Sequence, residues 1–357
     1  MTVTDRPVAT RSTDMASALD AVRGARRGPR THHRRVVGGL LLAVVGAFAV
    51  RVLLGDYTVT IPDFVRILTG DQIPGATYIV MESKLPRAVL AVLVGLAFGV
   101  GGAIFQTTLR NPLASPDVVG VSLGASAAAV SAIALAGWSG GAVQLVAVGG
   151  ALAAALLVRL VAGDHSGFRL VLAGIGLAAA LQSVIQYVFT RVDEWDVQLV
   201  LRWLTGSVNG VAWSTIGQLA LALAVLLPAT AWAARSLRAT ELGEDTATGL
   251  GVGHRRTDVL MLLATLLVGV GVAAAGPVAF VAFVSGPIAR ALNRGRTTLL
   301  ASGLVGALVV LVADHAGAYA LDINLPVGVV TGAFGAPFLL WLLARGPATG
   351  PRGRRAA

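Results

Sequence analysis

The chain has 357 residues, of which 55% are hydrophobic and 13% charged, and its mean hydropathy is +0.78. Soluble domains carry roughly 25% charged residues, so a water-soluble fold is excluded, and the apolar runs lack the short alternating pattern of a membrane β-barrel. The absence of cysteine removes disulfides, thiolate metal sites and thiol catalysis, and the net charge of +10 comes from arginines between apolar runs, where it orients a membrane protein beside anionic lipid and does not mark a nucleic-acid partner.

In chain order, residues 1–35 are polar and arginine-rich ("RGARRGPRTHHRR") and run straight into apolar text. A cleavable signal peptide has a shorter charged start and a small-residue cleavage site, and Asp5, Asp14 and Asp20 interrupt a transit-peptide pattern. The segment reads as an uncleaved cytosolic extension. Apolar runs of about 20 residues then recur, the length that crosses a hydrocarbon core of roughly 30 Å. Ten spans are predicted: Val36–Leu54, Leu85–Leu109, Val118–Leu135, Val143–Val161, Phe168–Phe189, Ala212–Ala234, Val259–Ala275, a short Val278–Ala291, Thr298–Ala320 and Val327–Leu343.

An even number of spans puts both termini on one side. With the termini inside, 22 basic residues fall inside and 5 outside (Arg66, Lys84, Arg87, Arg191 and Arg202), with Arg51 near a span end; the positive-inside rule selects this orientation. Outside, "TIPDFVRILTGD" predicts a short surface helix, and Trp195, Trp203 and Trp213 suit the membrane interface. The 44 glycines supply small helix faces that pack closely in a bundle.

The chain's one lysine, Lys84, sits in no GxxxxGK[ST] loop, so ATP hydrolysis on this chain is not expected. Asp314 and His315 are the exceptional ionisable pair within a span, read either as a pair near its outer end or in a wet cavity, or as a proton relay. Gln182, Ser183 and Gln186 share one face of the fifth span and either bond neighbouring helices or line a wet path. Glu241–Val252, "ELGEDTATGLGV", predicts a short amphipathic cytosolic helix with acidic residues in its first turn, either loop filler or a knob for another protein. Between spans two and three, Gln106, Arg110, Asn111, Pro112, Ser115, Pro116 and Asp117 form a polar turn, its prolines preventing one continuous helix. No catalytic constellation stands out.

Six stretches occur in order: "KLPRAVLAVLVGLAFGVGGAIFQTTLRNPLASPDVVGVSLGASA" (Lys84–Ala127), "LAGIGLAAAL", "RWLTGSV", "LGEDTATGLGV", "AGPVAFVAFV" and "LPVGVVTGAFGAPFLLWLL". With them the chain resembles the FecCD-type permease subunits of ABC importers for ferric siderophores, haem and cobalamin, over about Tyr57 to Leu343. The resemblance implies an all-α, cobalamin-importer-like (type II ABC importer) permease of about ten transmembrane helices at 36–344, between the extension 1–35 and a basic cytosolic tail 345–357. It implies two cytosolic ATPase subunits carrying ATP and Mg, a second permease, an extracytoplasmic substrate-binding protein, ferric siderophore as cargo, and no cofactor or metal held by this chain. Cobalamin or haem cargo is the alternative within the class, and an ion-coupled secondary transporter the alternative outside it.

The family's ATPase-coupling element falls on Glu241, Leu242, Gly243, Glu244, Asp245, Ala247, Leu250 and Gly251, its cytosolic junction on Gln106, Arg110, Asn111 and Pro112, and its basic docking pair for the binding protein on Lys84 and Arg87. Gln182, Ser183 and Gln186 are then candidates for the translocation path. Two departures stand out. "VSGPIAR" shifts the family's proline to Pro287, after Ser285 and Gly286, and "DHAGAYALDIN" lacks an arginine the family often has, with Asn324 where Glu commonly precedes Leu-Pro. The resulting shortage of positive charge points to a non-identical second permease, with a homodimer as the alternative.

Overall fold

The computed structural model describes residues 10–117, 119–163, 167–237, 246, 249, 254–320 and 323–345. The coupling residues Glu241, Leu242, Gly243, Glu244, Asp245, Ala247, Leu250 and Gly251 lie outside the described residues.

Helix α1 (Thr10–Leu53) runs unbroken from the basic extension into the first apolar run, so residues 10–35 and the first span form one helix. The predicted surface helix is α2 (Ile61–Leu68), begun by Pro62 and by the Thr60 hydroxyl, which accepts the Asp63 amide. A single turn, α3 (Ala76–Tyr78), passes through a π-helical turn at Ile79–Lys84 into α4 (Leu85–Thr108). Then follow α5 (Val121–Ala136), α6 (Gly141–Ala162), α7 (Gly167–Phe189), the short α8 (Val197–Thr205) and α9 (Trp213–Ala233). Last come α10 (His254–Ala275), α11 (Val281–Leu292), α12 (Leu299–Tyr319) and α13 (Val327–Arg345). Among the described residues 7 helices are long and apolar enough to cross a membrane, and α5, α11 and most of α13 are shorter apolar helices. Together they coincide with the ten predicted runs.

The core forms around α4, 78% of whose apolar window is buried, against 17% for α7. Helices α10, α11 and α12 pack against α4, and glycine makes the approach possible. A Cβ on Gly95 would lie 2.4 Å from the Ala307 Cα, one on Gly99 2.3 Å from the Ser302 carbonyl oxygen, and one on Gly306 2.1 Å from the Gly95 carbonyl oxygen. A membrane bundle has no hydrophobic drive between helices, so dispersion across such close backbones must hold it. Outward-facing Leu42, Leu145, Leu172 and Leu221 are exposed on α1, α6, α7 and α9, as lipid tails allow.

Between α10 and α11 the helix breaks. The Ser207 amide donates to the Ala275 carbonyl at 2.7 Å and the Gly328 amide to the Gly206 carbonyl at 3.1 Å, so three chain segments meet backbone to backbone. A Cβ on Gly206 or Gly328 would fall 2.2 or 2.1 Å from a carbonyl oxygen of another segment. Irregular backbone between apolar helices is tolerated where protein, not lipid, surrounds it.

Candidate functional site

The polar residues collect at the two ends of the bundle. At the end where α1 and α12 finish and α4 starts, Asp314 is fully buried. Arg51 donates from Nε to its Oδ2 at 2.6 Å, and Arg87 donates from Nε to its Oδ1 at 2.8 Å. One carboxylate thus joins α1, α4 and α12. Arg51 also reaches the Tyr319 hydroxyl at 3.4 Å, its guanidinium 5.5 Å from that ring's centroid, and Arg87 donates to Asn324 Oδ1 at 3.3 Å. Lys84 donates to the carbonyls of Leu54 (2.9 Å) and Tyr57, closing the turn after α1. Gly55 in that turn has φ +125, and a Cβ there would lie 2.3 Å from the Tyr319 hydroxyl.

Lys84 and Arg87 are therefore buried and spent inside the chain, and neither presents its charge to the surface. Stranding one partner of such a set is what makes buried ion clusters unforgiving. Asn324 takes up one of the Arg87 N–H groups, and Asp314 receives its second arginine, Arg51, from α1. As a sequence feature Arg51 is only a charge at a span end. The available signal is that it and Asp314 are opposite charges at apolar-run ends.

At the opposite end α4 stops in a left-handed cap. Arg110 has φ 49, the Asn111 amide donates to the Gln106 carbonyl at 3.0 Å, and Asn111 Oδ1 accepts the Leu113 amide at 2.9 Å. Pro112 is exposed in the turn. Gln106 is buried; its Nε2 donates to the Phe283 carbonyl at 2.8 Å and its Oε1 accepts from Arg290 at 3.0 Å. Gly286 is what admits it, since a Cβ there would lie 2.1 Å from Gln106 Oε1. The unusual "VSGPIAR" text is thus matched to Gln106. Asp117 accepts the Ser122 hydroxyl across the start of α5; burial pushes its carboxyl up, and that hydrogen bond pulls the other way.

Gln182, Ser183 and Gln186 share an exposed face of α7. Among the described residues Ser183 bonds only back to the Ala179 carbonyl, at 3.0 Å, so the face is a polar strip in the middle of a mostly apolar helix. The structure does not bring it together with either polar end. Among the described residues no group of three His, Asp or Glu side chains is placed to hold a metal ion.

The FecCD transport family model matches residues 41–345. The chain belongs to the FecCD transport family. It is 37% identical over 294 residues to the ferric enterobactin transport system permease protein FepG of Escherichia coli, covering 81% of this chain and 89% of that one. It is 38% identical over 314 residues to the Fe(3+) dicitrate transport system permease protein FecD of the same organism, covering 86% and 98%. Among solved structures, the inward-facing conformation of a metal-chelate type ABC transporter matches with a TM-score of 0.75 at 24% identity, over 87% of this chain and 99% of that one. That likeness concerns the FecCD fold. The family match takes in α4, α12, Asp314 and the whole three-helix ion cluster, and leaves out the whole basic extension 1–35.

Proposed function

We propose that this chain is the membrane-spanning permease subunit of an ATP-driven importer that carries ferric siderophore, an iron chelate, across the cytoplasmic membrane. The observation that carries the reading is the family match over nearly the whole apolar region, joined to relatives whose names specify ferric enterobactin and ferric dicitrate transport. In this reading both termini and the Arg110 end face the cytosol, as the distribution of arginines favours. Two ATPase subunits dock through the 239–253 region, and ATP binding and hydrolysis on them drive the change between outward and inward access. Only a ligand that binds the two states differently can shift their balance.

A second permease completes the pathway, with the exposed Gln182, Ser183 and Gln186 face of α7 supplying polar lining that lipid would not reward. The internal use of Lys84 and Arg87 takes these two basic residues away from docking, which supports a non-identical partner permease that supplies an equivalent anchoring pair for the binding protein. The test is uptake of radiolabelled iron bound to enterobactin-type and citrate-type chelators in a strain lacking this chain. Loss of uptake, restored by the chain together with its own ATPase, binding protein and partner permease, is expected. Unchanged iron uptake with lost cobalamin or haem uptake would move the cargo elsewhere.

A further inference from the structure

At the Arg110 end, α1 and the α11–α12 connection enclose a cleft of about 220 Å³ lined by His32, Asn293, Arg294 and Arg296. The loop is firmly built. Arg294 has φ 55, the Gly295 amide donates back to the Arg290 carbonyl at 2.8 Å, and buried Asn293 donates from Nδ2 to the Arg296 carbonyl at 3.3 Å. His32 is tied across the cleft by its Nε2, which donates to the Leu292 carbonyl at 3.1 Å. Among the described residues no acidic side chain lines the space, and Arg294 and Arg296 are exposed and make no ion pair. Two further polar atoms lie next in the chain or two residues on. His33 Nδ1 and Thr298 Oγ1 are buried without a hydrogen-bond partner, and Thr298 is an N-cap whose side chain leaves the first amides of α12 uncapped.

We infer that this cleft binds an anionic phosphate group at the level of the lipid headgroups, with a phospholipid as its source. The guanidinium forks of Arg294 and Arg296 both line the cleft, the donor set that matches phosphate oxygens, while the His32 N–H is already given to Leu292. Basic recesses between membrane helices on the arginine-rich side are where anionic headgroups lodge. The size agrees: at about 30 Å³ per water the cleft holds a phosphate and a few bridging waters. Binding there would staple the α1 axis to the α11–α12 turn and so brace α12, which carries Asp314 at its other end.

The test uses the purified full chain in phosphatidylcholine-doped micelles, melted while phosphatidylglycerol or inorganic phosphate is titrated in. Phosphatidylglycerol is expected to raise the melting temperature saturably. The pair R294G and R296Q should weaken half-saturation by roughly fivefold per arginine, whereas R34Q with R35Q, exposed α1 arginines outside the lining, should change it less than about twofold. Glycine suits the positive φ at 294, so the fold survives, and R294K with R296K, which keep the charge and lose the forks, should restore only part of the binding. A saturable, Arg294- and Arg296-dependent response to inorganic phosphate alone would keep the site and make free phosphate its source. The inference is overturned if neither probe shifts the melt, or if both arginine pairs lower the response equally.

Discussion

Asp314 is the residue on which most depends. Its carboxylate satisfies Arg51 and Arg87 with both oxygens, and with Lys84 nearby the buried cluster carries more positive than negative charge. Asp314→Asn keeps the shape and removes the only buried anion the described residues give the cluster. Removing one member of a buried ion set costs roughly 3–5 kcal/mol, so melting of the purified D314N chain should show a severe loss. Arg66→Gln, which breaks the exposed Arg66–Asp71 pair at 3.0 Å, should cost less than about 1 kcal/mol. Equal losses would mean that Asp314 is not holding α1, α4 and α12 together.

At the scale of elements, the α4–α12 seam is set by Gly95, Gly99 and Gly306. Gly306→Val would drive side-chain atoms into the Gly95 carbonyl, where a Cβ already falls at 2.1 Å; neither backbone can yield without separating the helices. Overpacking of this kind costs typically 1–3 kcal/mol or more. Gly149 on α6 is the control, since a Cβ there meets nothing within 4 Å, and Gly149→Val should leave folding intact. The measurement is the fraction of each variant that remains monodisperse after extraction in detergent. Spans were legible to this extent because an apolar run of span length has few alternatives in a bilayer, and α6, α9 and α12 begin and end within a few residues of their predicted bounds. The π-turn at Ile79–Lys84 was not legible: its Met81 carbonyl accepts the Trp213 indole N–H at 2.8 Å, from a residue 132 positions away that local sequence does not bring near.

For the whole molecule, the decisive question is where the energy enters. A carboxylate bonded to two guanidiniums is poorly placed to shuttle a proton, and the sequence alone left a relay at Asp314 and His315 open because spacing does not reveal Arg51. Uptake in cells should therefore survive collapse of the proton gradient while ATP is maintained, and stop when ATP is depleted with the gradient intact. The reverse outcome would favour an ion-coupled carrier. The partners of Lys84 and Arg87 were equally invisible in sequence, since carbonyls of Leu54 and Tyr57 leave no mark there, whereas the turn at Gln106–Pro112 was legible from its prolines and asparagine.

The Arg51–Asp314 bond joins residues 263 apart in the chain, and this has a consequence for biogenesis. At about 5–20 residues per second the ribosome makes Asp314 roughly 13–50 s after Arg51. Throughout that interval the first span holds Arg51 without the carboxylate it pairs with in the folded chain. Its place at the end of α1 lets the long side chain wait at the headgroups, and only the arrival of α12 draws it inward. A chain cut short before α12 would keep that arginine without Asp314, its partner in the finished fold.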